Sequence, residues 1–336
     1  MDSLTHIVLG ACIGEAVLGR RIGRAAMAWG AAAQSLPDID FVAGFWMDLP
    51  HELLAHRGFT HSILFLLLAA PALGIWAERL HRPHDTSLRR FIAFFAIEVG
   101  AHLLLDACNN YGVGWFEPFS DHRVSFNCLY VADPFFSVMP ALAVAVLALR
   151  RRLRPRARMR WAMAGILAPL AYLSLAATNK LVVEQALRRQ ADREGIAYKR
   201  HFTTPAPLNS WLWYLVLEDE GGYRVGYRSV MDGEKPLALR HFPRNDSLLR
   251  EVADHEEVML LRKFSQGYYT VERRADTLLL NDLRFGRIVG WEDPGAGFVF
   301  HYFISHPADN ELIVQRGRFA RWTLQTPLRM VRRIRG

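Results

Sequence analysis

Hydrophobic and polar positions divide the chain into an apolar first part and a more polar second part. Six apolar segments recur before residue 180, separated by polar connectors. They are Leu4–Leu18, Ala25–Leu36, Ile63–Ala77, Phe91–Leu105, Phe135–Leu149 and Trp161–Ala177. Each segment is shorter than the roughly 20 residues that span a bilayer core, so crossing needs flanking residues or a locally thin bilayer. The series predicts an α-helical transmembrane bundle of about six segments; the alternative is a buried helical bundle in a soluble protein.

The second part has a different pattern. Leu181–Glu194 predicts a helix that continues the sixth segment. Short aromatic and β-branched runs follow, separated by turn residues, as in an antiparallel β domain. These runs are Trp211–Leu217, Tyr223–Val230, Val258–Phe264, Tyr268–Arg273, Thr277–Leu280, Arg287–Trp291 and Phe298–Ile304. The chain is therefore predicted to contain a membrane-embedded helical domain, residues 1–179, and a polar, β-rich domain, residues 180–336.

Arginines are concentrated on every second connector of the apolar part. Fourteen lie after the first, third and fifth segments: Arg20, Arg21, Arg24, Arg79, Arg82, Arg89, Arg90, Arg150, Arg151, Arg152, Arg154, Arg156, Arg158 and Arg160. Connectors 37–61 and 108–131 carry only Arg57 and Arg123. The positive-inside rule places the arginine-rich connectors in the cytoplasm, and the N-terminus, the other two connectors and the C-terminal domain on the opposite side.

Composition and net charge narrow the class of protein. Hydrophobic residues make up 51% of the 336 positions and the formal charge is +8. This composition excludes a disordered chain and a small disulfide scaffold. A basic chain of this kind would suit nucleic acid or a membrane surface. Because the excess arginine lies on predicted cytoplasmic connectors, anionic lipid is the simpler partner, and no nucleic-acid partner is expected.

Seven histidines and aspartates lie at one predicted membrane face. They are His6, Asp38, Asp40, His56, His61, His102 and Asp106. His102 and Asp106 are four residues apart and project from one helix face, with Glu98 one turn earlier to orient His102. Taken singly, each residue has a structural explanation, such as a satisfied core histidine or a turn aspartate. Together, ionisable groups near a bilayer indicate a functional site.

The residue types indicate a transition-metal site. Imidazole and carboxylate ligands suit Zn²⁺, Mn²⁺ or Fe²⁺ better than Ca²⁺ or Mg²⁺. Seven candidates exceed the four ligands of a closed structural zinc site, so one or two ions are predicted. Cys108 and Cys128 share a predicted outward loop and could pair in an oxidising compartment.

Several motifs resemble one known family. In chain order they are Thr5-His6, Leu36-Pro37-Asp38-Ile39-Asp40, His56-Arg57-Gly58-Phe59-Thr60-His61-Ser62, His102-Leu103-Leu104-Leu105-Asp106, Asn110-Tyr111-Gly112 and Phe264-Ser265-Gln266-Gly267-Tyr268-Tyr269. Together they resemble the bacterial inner-membrane metal-dependent hydrolases, the LexA-regulated YdjM-like group. The resemblance implies a membrane-bound hydrolase whose metal is held by the matching histidines and aspartates. A further analogy, to zinc phospholipase C and the P1-type nucleases, implies phosphoester chemistry.

The expected mechanism is metal-assisted hydrolysis of a phosphoester or lipid headgroup at the outer membrane face. Asp40 is expected to bridge metals or to act as the general base. Arg57 is expected to stabilise developing phosphate charge by a bidentate contact. Two alternatives from other classes stay open: a non-enzymatic metal-binding scaffold or sensor, and a metal transporter. The position of the site at one face, and not at the bilayer midplane, argues against the transporter.

Overall fold

A computed structural model of the protein describes residues 1–81, 86–150, 152–250, 252, 254–304, 319 and 321–336. The predicted connector arginines Arg82 and Arg151 lie outside the described residues. The chain forms two compact units. The first contains Met1–Ala43, Ala55–Leu175 and Pro207–Asn209, and the second contains Gly44–Leu54, Ala176–Ala206 and Ser210–Gly336. The boundary predicted at residues 179 and 180 stays a prediction.

Five of the six apolar segments lie within α-helices, and Ala25–Leu36 extends one residue beyond its helix. The helices of this part are α1 (Ser3–Ile22), α2 (Ala25–Ser35), α3 (Leu49–Ala55), α4 (Ile63–Leu80), α5 (Leu88–Ala107), α6 (Pro134–Leu149) and α7 (Pro155–Glu194). Short 3₁₀ helices cover Pro37–Phe45 and Phe59–His61. The predicted continuation of the sixth segment through residue 194 is confirmed, because α7 is one helix of 40 residues.

Two helices among the described residues are long and apolar enough to cross a membrane. These are α4 and α7, and α6 is apolar but shorter. The mostly helical character of the first part is therefore confirmed, whereas a bundle of six spans is not established.

Helices α1 and α2 pack with their backbones in close approach. A Cβ atom on Gly10 would lie 2.4 Å from the carbonyl oxygen of Gly30, and one on Gly14 would lie 2.1 Å from that of Ala26. Only residues without a side chain fit at such distances, as in small-residue helix interfaces of membrane proteins. The Gly10-x-x-x-Gly14 spacing thus brings the start of α1 beside the end of α2.

Local caps fix the helix ends that border the polar residues. Ser62 accepts a hydrogen bond from the backbone N–H of Phe65 at 3.0 Å and begins α4. Asp133 accepts one from Phe135 at 3.0 Å and begins α6. Asp2 accepts one from the backbone N–H of Thr5 and begins α1. N-cap side chains of this type satisfy amide groups that the first helical turn leaves open.

The second unit contains two antiparallel sheets, as predicted. One has the order β1-β2-β3-β4 and the other β5-β6-β7. The strands are β1 (Arg200–Pro205), β2 (Leu212–Glu218), β3 (Gly222–Ser229), β4 (Arg240–Pro243), β5 (Tyr269–Arg274), β6 (Thr277–Arg287) and β7 (Phe298–Ile304). Trp213, Leu215 and Leu217 of β2 pack on Val183 and Leu187 of α7 in the core of this unit.

Two predicted strands are wrong. Of Arg287–Trp291, only Arg287 lies in a strand, at the end of β6, and the following residues form a turn in which the Gly290 amide donates to the Arg287 carbonyl at 3.2 Å. Val258–Phe264 lies in helix α8 (Glu256–Phe264), not in a sheet. Val258, Leu261 and Phe264 are spaced three apart and form its buried face. Glutamates in the first turn and basic residues in the last turn complement the helix dipole. A final helix, α9, covers Thr326–Arg335.

Candidate metal centre

Four of the seven candidate residues converge in the helical unit. Asp38, His61, His102 and Asp106 each offer one ligand atom, and these atoms lie within 4.8 Å of one another. The Nε2 atoms of His61 and His102 are 3.1 Å apart. Asp38 Oδ1 lies 3.5 Å from each of these nitrogens. Asp106 Oδ2 lies 3.5 Å from His61 Nε2 and 3.8 Å from His102 Nε2.

The partners of the two imidazole rings define which nitrogens carry protons. His102 Nδ1 lies 2.5 Å from the backbone carbonyl of Gln34, which can only accept, so Nδ1 carries the hydrogen. His61 Nδ1 lies 3.1 Å from the Thr60 hydroxyl, and because that hydroxyl donates to Asp40, Nδ1 donates to the hydroxyl oxygen; Asp40 Oδ2 also lies 3.1 Å from Nδ1. In the neutral rings both Nε2 atoms therefore present lone pairs to each other and to two carboxylate oxygens. A cation at their centre satisfies all four acceptors at once.

The spacing of the four atoms also fits such a cation. Zn–N and Zn–O bonds of about 2.0–2.2 Å in a tetrahedral site place neighbouring ligand atoms roughly 3.3–3.6 Å apart. The five separations that involve an imidazole nitrogen, 3.1–3.8 Å, bracket this range, and all four atoms lie within 4.8 Å of one another. His61, His102 and Asp106 are fully buried, and the Asp38 side chain is 19% exposed. The residues present therefore fit a divalent transition metal.

Asp106 connects the cluster to its surroundings through its other contacts. Its Oδ1 lies 3.1 Å from Nε2 of His6 and also accepts from the Met1 amino group. Its Oδ2 lies 3.0 Å from Nε of Arg57 but has no hydrogen bond of good geometry among the described residues. This buried oxygen is therefore an acceptor still open toward the cluster.

Gln34, which sequence reasoning missed, orients two of the histidines. Its side-chain oxygen lies 3.1 Å from Nδ1 of His6, and its backbone carbonyl accepts from His102. The predicted role of Glu98 in orienting His102 is wrong, because both ring nitrogens of His102 face other partners. A polar amide within an apolar segment was the available signal for Gln34.

Asp40 holds the turn that carries His56 and His61. Its Oδ1 accepts from Nδ1 of His56 at 2.9 Å, and its Oδ2 accepts from the backbone N–H of Arg57 at 2.7 Å and from Thr60 at 3.2 Å. Burial raises the pKa of Asp40, but hydrogen bonds from His56 and His61 outweigh it and keep the carboxyl ionised. Asp40 and His56 therefore lie beside the four-residue group and not within it.

Arg57 is buried next to the cluster. Its Nη1 donates to Asn109 Oδ1 at 2.6 Å, and its guanidinium lies 4.8 Å from the centre of the Tyr111 ring. Its backbone has a φ of 61°, in the left-handed region that a bulky residue rarely adopts. Burial lowers the pKa of Arg57 to about 10, so the guanidinium stays charged at neutral pH.

The cysteines do not contribute to the cluster. Cys12, Cys108 and Cys128 are buried, and no disulfide links the described cysteines. Cys108 and Cys128 are neighbours, since the Cys128 amide donates to the Cys108 carbonyl at 2.8 Å. The pairing left open on sequence grounds is not formed in this structure.

Comparison with known proteins gives relatives for the helical part. The profile of a family described as "YdjM inner membrane protein" matches residues 1–182. The "Inner membrane protein YbcI" of Escherichia coli (strain K12) is 30% identical over 154 residues, which are 45% of this chain and 81% of that protein. The "Uncharacterized protein YfhP" of Bacillus subtilis (strain 168) is 30% identical over 156 residues, 44% of this chain and 46% of that protein. No solved structure gives a significant match.

Proposed function

The chain belongs to the YdjM inner membrane protein family, and on that premise we propose that it is a membrane-bound, metal-dependent hydrolase of phosphoesters or lipid headgroups. The observation that carries the proposal is the convergence of four acceptor atoms, from Asp38, His61, His102 and Asp106, in a buried site. Such a set of acceptors is costly to bury unless a cation neutralises it.

The proposed ligands are two imidazoles and two carboxylates. This donor set favours Zn²⁺, with Mn²⁺ or Fe²⁺ as the other candidates. A bound ion of this kind would act as a Lewis acid toward a phosphoryl oxygen. His6 supports the set through its contact with Asp106, and Gln34 holds both His6 and His102 in place.

Asp40 and Arg57 receive distinct roles in this proposal. Asp40 is a positioning residue, because both of its oxygens hold the His56–His61 turn and one faces His61 Nδ1. Its action as a general base stays a prediction and requires release of one of these bonds. Arg57 keeps a guanidinium beside Asp106, from which it can stabilise negative charge that develops on a phosphate.

We further propose that the protein crosses the bacterial inner membrane several times, with the site and the β domain on the non-cytoplasmic side. The family supports the membrane location. The alternating arginine-rich connectors support the orientation.

A non-enzymatic metal-binding scaffold or sensor is the second candidate. It is favoured by the closure of the site, since only Asp38 among the four ligands is exposed to any extent. A structural metal site has no open coordination position, whereas a hydrolytic site keeps one.

Turnover separates the two candidates. Detergent-purified protein is incubated with bis-p-nitrophenyl phosphate and with phospholipid micelles, with and without a chelator, and Asp38→Asn is compared with His122→Ala at an exposed histidine. The hydrolase predicts product release that a chelator abolishes, that added metal restores and that only Asp38→Asn impairs. Bound metal without turnover of either substrate class would favour the scaffold.

A further inference from the structure

The β-rich unit contains a basic cavity that the metal centre does not explain. Its volume is about 420 Å³. It is lined by Arg200, Arg244, Met259, Arg262, Lys263, Gly267 and Tyr269. Four of these seven residues are cations and none is a carboxylate, so the cavity presents one sign of charge.

Two of the arginines are fixed by the same carboxylate. Arg200 Nε donates to Oε2 of Glu218, and Arg244 Nη2 donates to Oε1 of the same residue at 2.5 Å. The Arg200 guanidinium also lies 4.0 Å from the centre of the Tyr268 ring, and that of Arg244 lies 4.9 Å from the centre of the Tyr223 ring. Because both guanidinium groups are already held in place, the binding of an anion causes little further loss of side-chain conformational entropy.

The turn after α8 forms one wall of the cavity. Arg200 Nη1 donates to the Gln266 carbonyl at 3.0 Å, and the Tyr223 hydroxyl donates to the Gly267 carbonyl at 2.5 Å. Gly267 has a φ of 76°, and a Cβ atom there would lie 2.8 Å from Arg200 Nη2. Glycine therefore keeps this side of the Arg200 guanidinium open.

The end of α8 adds positive charge without exposing its carbonyl groups. The Lys263 and Arg262 carbonyls accept from the Gln266 and Gly267 amides at 3.1 and 3.3 Å. The side chains of Arg262 and Lys263 line the cavity as well. The glutamates of α8 lie in its first turn, at the opposite end of the helix from these residues.

The charge of the lining residues and one donor without a partner indicate which class of ligand the cavity binds. Four of the lining residues are cations, and Glu218 forms ion pairs with two of them, Arg200 and Arg244. Arg244 Nε is buried and has no hydrogen-bond partner among the described residues. We infer that this cavity binds a phosphate group, as a phosphate monoester or diester, through the guanidinium groups of Arg200 and Arg244. Guanidinium forks match the geometry and charge of phosphate oxygens.

The test measures binding of two phosphate probes to the full chain in detergent by calorimetry. Inorganic phosphate represents a free ligand, and dihexanoyl phosphatidic acid represents a lipid headgroup. Met259→Glu places a carboxylate at the cavity from an exposed position, and Met259→Gln is its neutral match. We expect Met259→Glu to weaken binding by about tenfold or more and Met259→Gln to change it little. Arg200→Gln should weaken it similarly, whereas Arg224→Gln, which lies outside the cavity, should not.

The site is tested separately from the metal centre. His61→Ala should retain phosphate binding in the cavity, whether or not the protein hydrolyses anything. Tighter binding of the lipid probe would identify a headgroup as the source of the phosphate, and equal binding would identify a free phosphate. The inference is overturned if neither probe binds saturably, or if Met259→Glu and Arg200→Gln, with unchanged circular dichroism, bind both probes as the wild type does.

Discussion

The Nε2 atoms of His61 and His102 lie 3.1 Å apart inside the helical unit. Each ring uses its other nitrogen to donate to an oxygen, His61 to the Thr60 hydroxyl, which itself donates to Asp40, and His102 to the Gln34 carbonyl. Two lone pairs that face each other in a buried site repel unless a cation lies between them. This relationship, with the carboxylates of Asp38 and Asp106 beside it, is the basis for the proposed metal centre.

Asp40 should control metal affinity through His61. Asp40→Asn replaces the carboxylate that accepts from Thr60 and lies 3.1 Å from His61 Nδ1 by a neutral amide, so the ring loses part of its orientation and some basicity. Loss of such a partner typically costs 10- to 100-fold in metal affinity, and we expect an effect of about this size. Competition with a chromophoric chelator measures it. Asp48→Asn is the control, since Asp48 makes a comparable contact with His51 but is exposed. Equal losses in both variants would contradict the assigned role.

The α1–α2 interface should tolerate no added methyl group. A Cβ atom on Gly30 would lie 2.0 Å from the Gly10 carbonyl oxygen, so Gly30→Ala must separate the helices that carry His6 and Gln34. We expect a loss of about 1–3 kcal/mol in stability, seen as a lower unfolding temperature in detergent. Gly100→Ala is the matched control, because its Cβ would make an ordinary contact, 3.4 Å from Leu66. Unchanged unfolding of Gly30→Ala would refute this packing.

Periodicity and spacing predicted the helices and grouped the candidate residues. Apolar runs marked six of the seven helices of the first part, all except the short α3, and the four-residue spacing of His102 and Asp106 placed both beside the same cluster. The roles of Asp38 and Asp40 could not be separated from sequence. They are two residues apart in a 3₁₀ helix, and only the fold directs Asp38 toward both Nε2 atoms and Asp40 toward His61 Nδ1.

Other features depend on contacts that local sequence does not encode. Gln34 reaches His102 across 68 positions, so its role required the packing of α2 against the helix that carries His102. In the second unit, Val258–Phe264 has residues that suit a strand, but its apolar positions follow a helical period. Strands β1 and β4 were not predicted. Strand β4 has four residues and is mostly exposed, whereas β1, Arg-His-Phe-Thr-Thr-Pro, is mostly buried but contains only one large apolar side chain and so shows no apolar alternation.

Stability of the β-rich unit should depend on pH through Asp232. The Arg333 guanidinium in α9 donates to both oxygens of Asp232, at 2.9 and 3.0 Å. Burial raises the pKa of Asp232, but the bonds from Arg333 and the Ser229 amide outweigh it, and the pKa lies below its ordinary value. Such a group stabilises the fold above its unfolded pKa of about 3.9, and this stabilisation is lost as pH falls through the folded pKa.

We therefore expect Asp232→Asn to be less stable than the wild type at pH 7, by about 1 kcal/mol. The difference should shrink as pH falls below about 4. Thermal unfolding followed by circular dichroism between pH 3 and pH 7 measures it. The exposed Asp276 provides the control, and Asp276→Asn should leave the pH dependence unchanged. A difference between Asp232→Asn and the wild type that does not vary with pH would count against the ion pair.

The proposed orientation predicts which positions a membrane-impermeant maleimide can reach. Phe119 is 83% exposed on connector 108–131, and Arg89 is exposed on an arginine-rich connector. We expect Phe119→Cys to be labelled in intact spheroplasts and Arg89→Cys only after lysis. The native cysteines are buried, so background labelling should be low. The opposite labelling pattern would show that the arginine-rich connectors face outward.

Metal content is the decisive test of the proposed site formed by Asp38, His61, His102 and Asp106. Protein purified in detergent without chelators is analysed by inductively coupled plasma mass spectrometry, together with His61→Ala, His102→Ala and the exposed control His122→Ala. We expect about one equivalent of a transition metal in the wild type and in His122→Ala, and loss of that metal in the other two variants. A metal-free wild type, or undiminished metal in a folded His61→Ala/His102→Ala double variant, would contradict it.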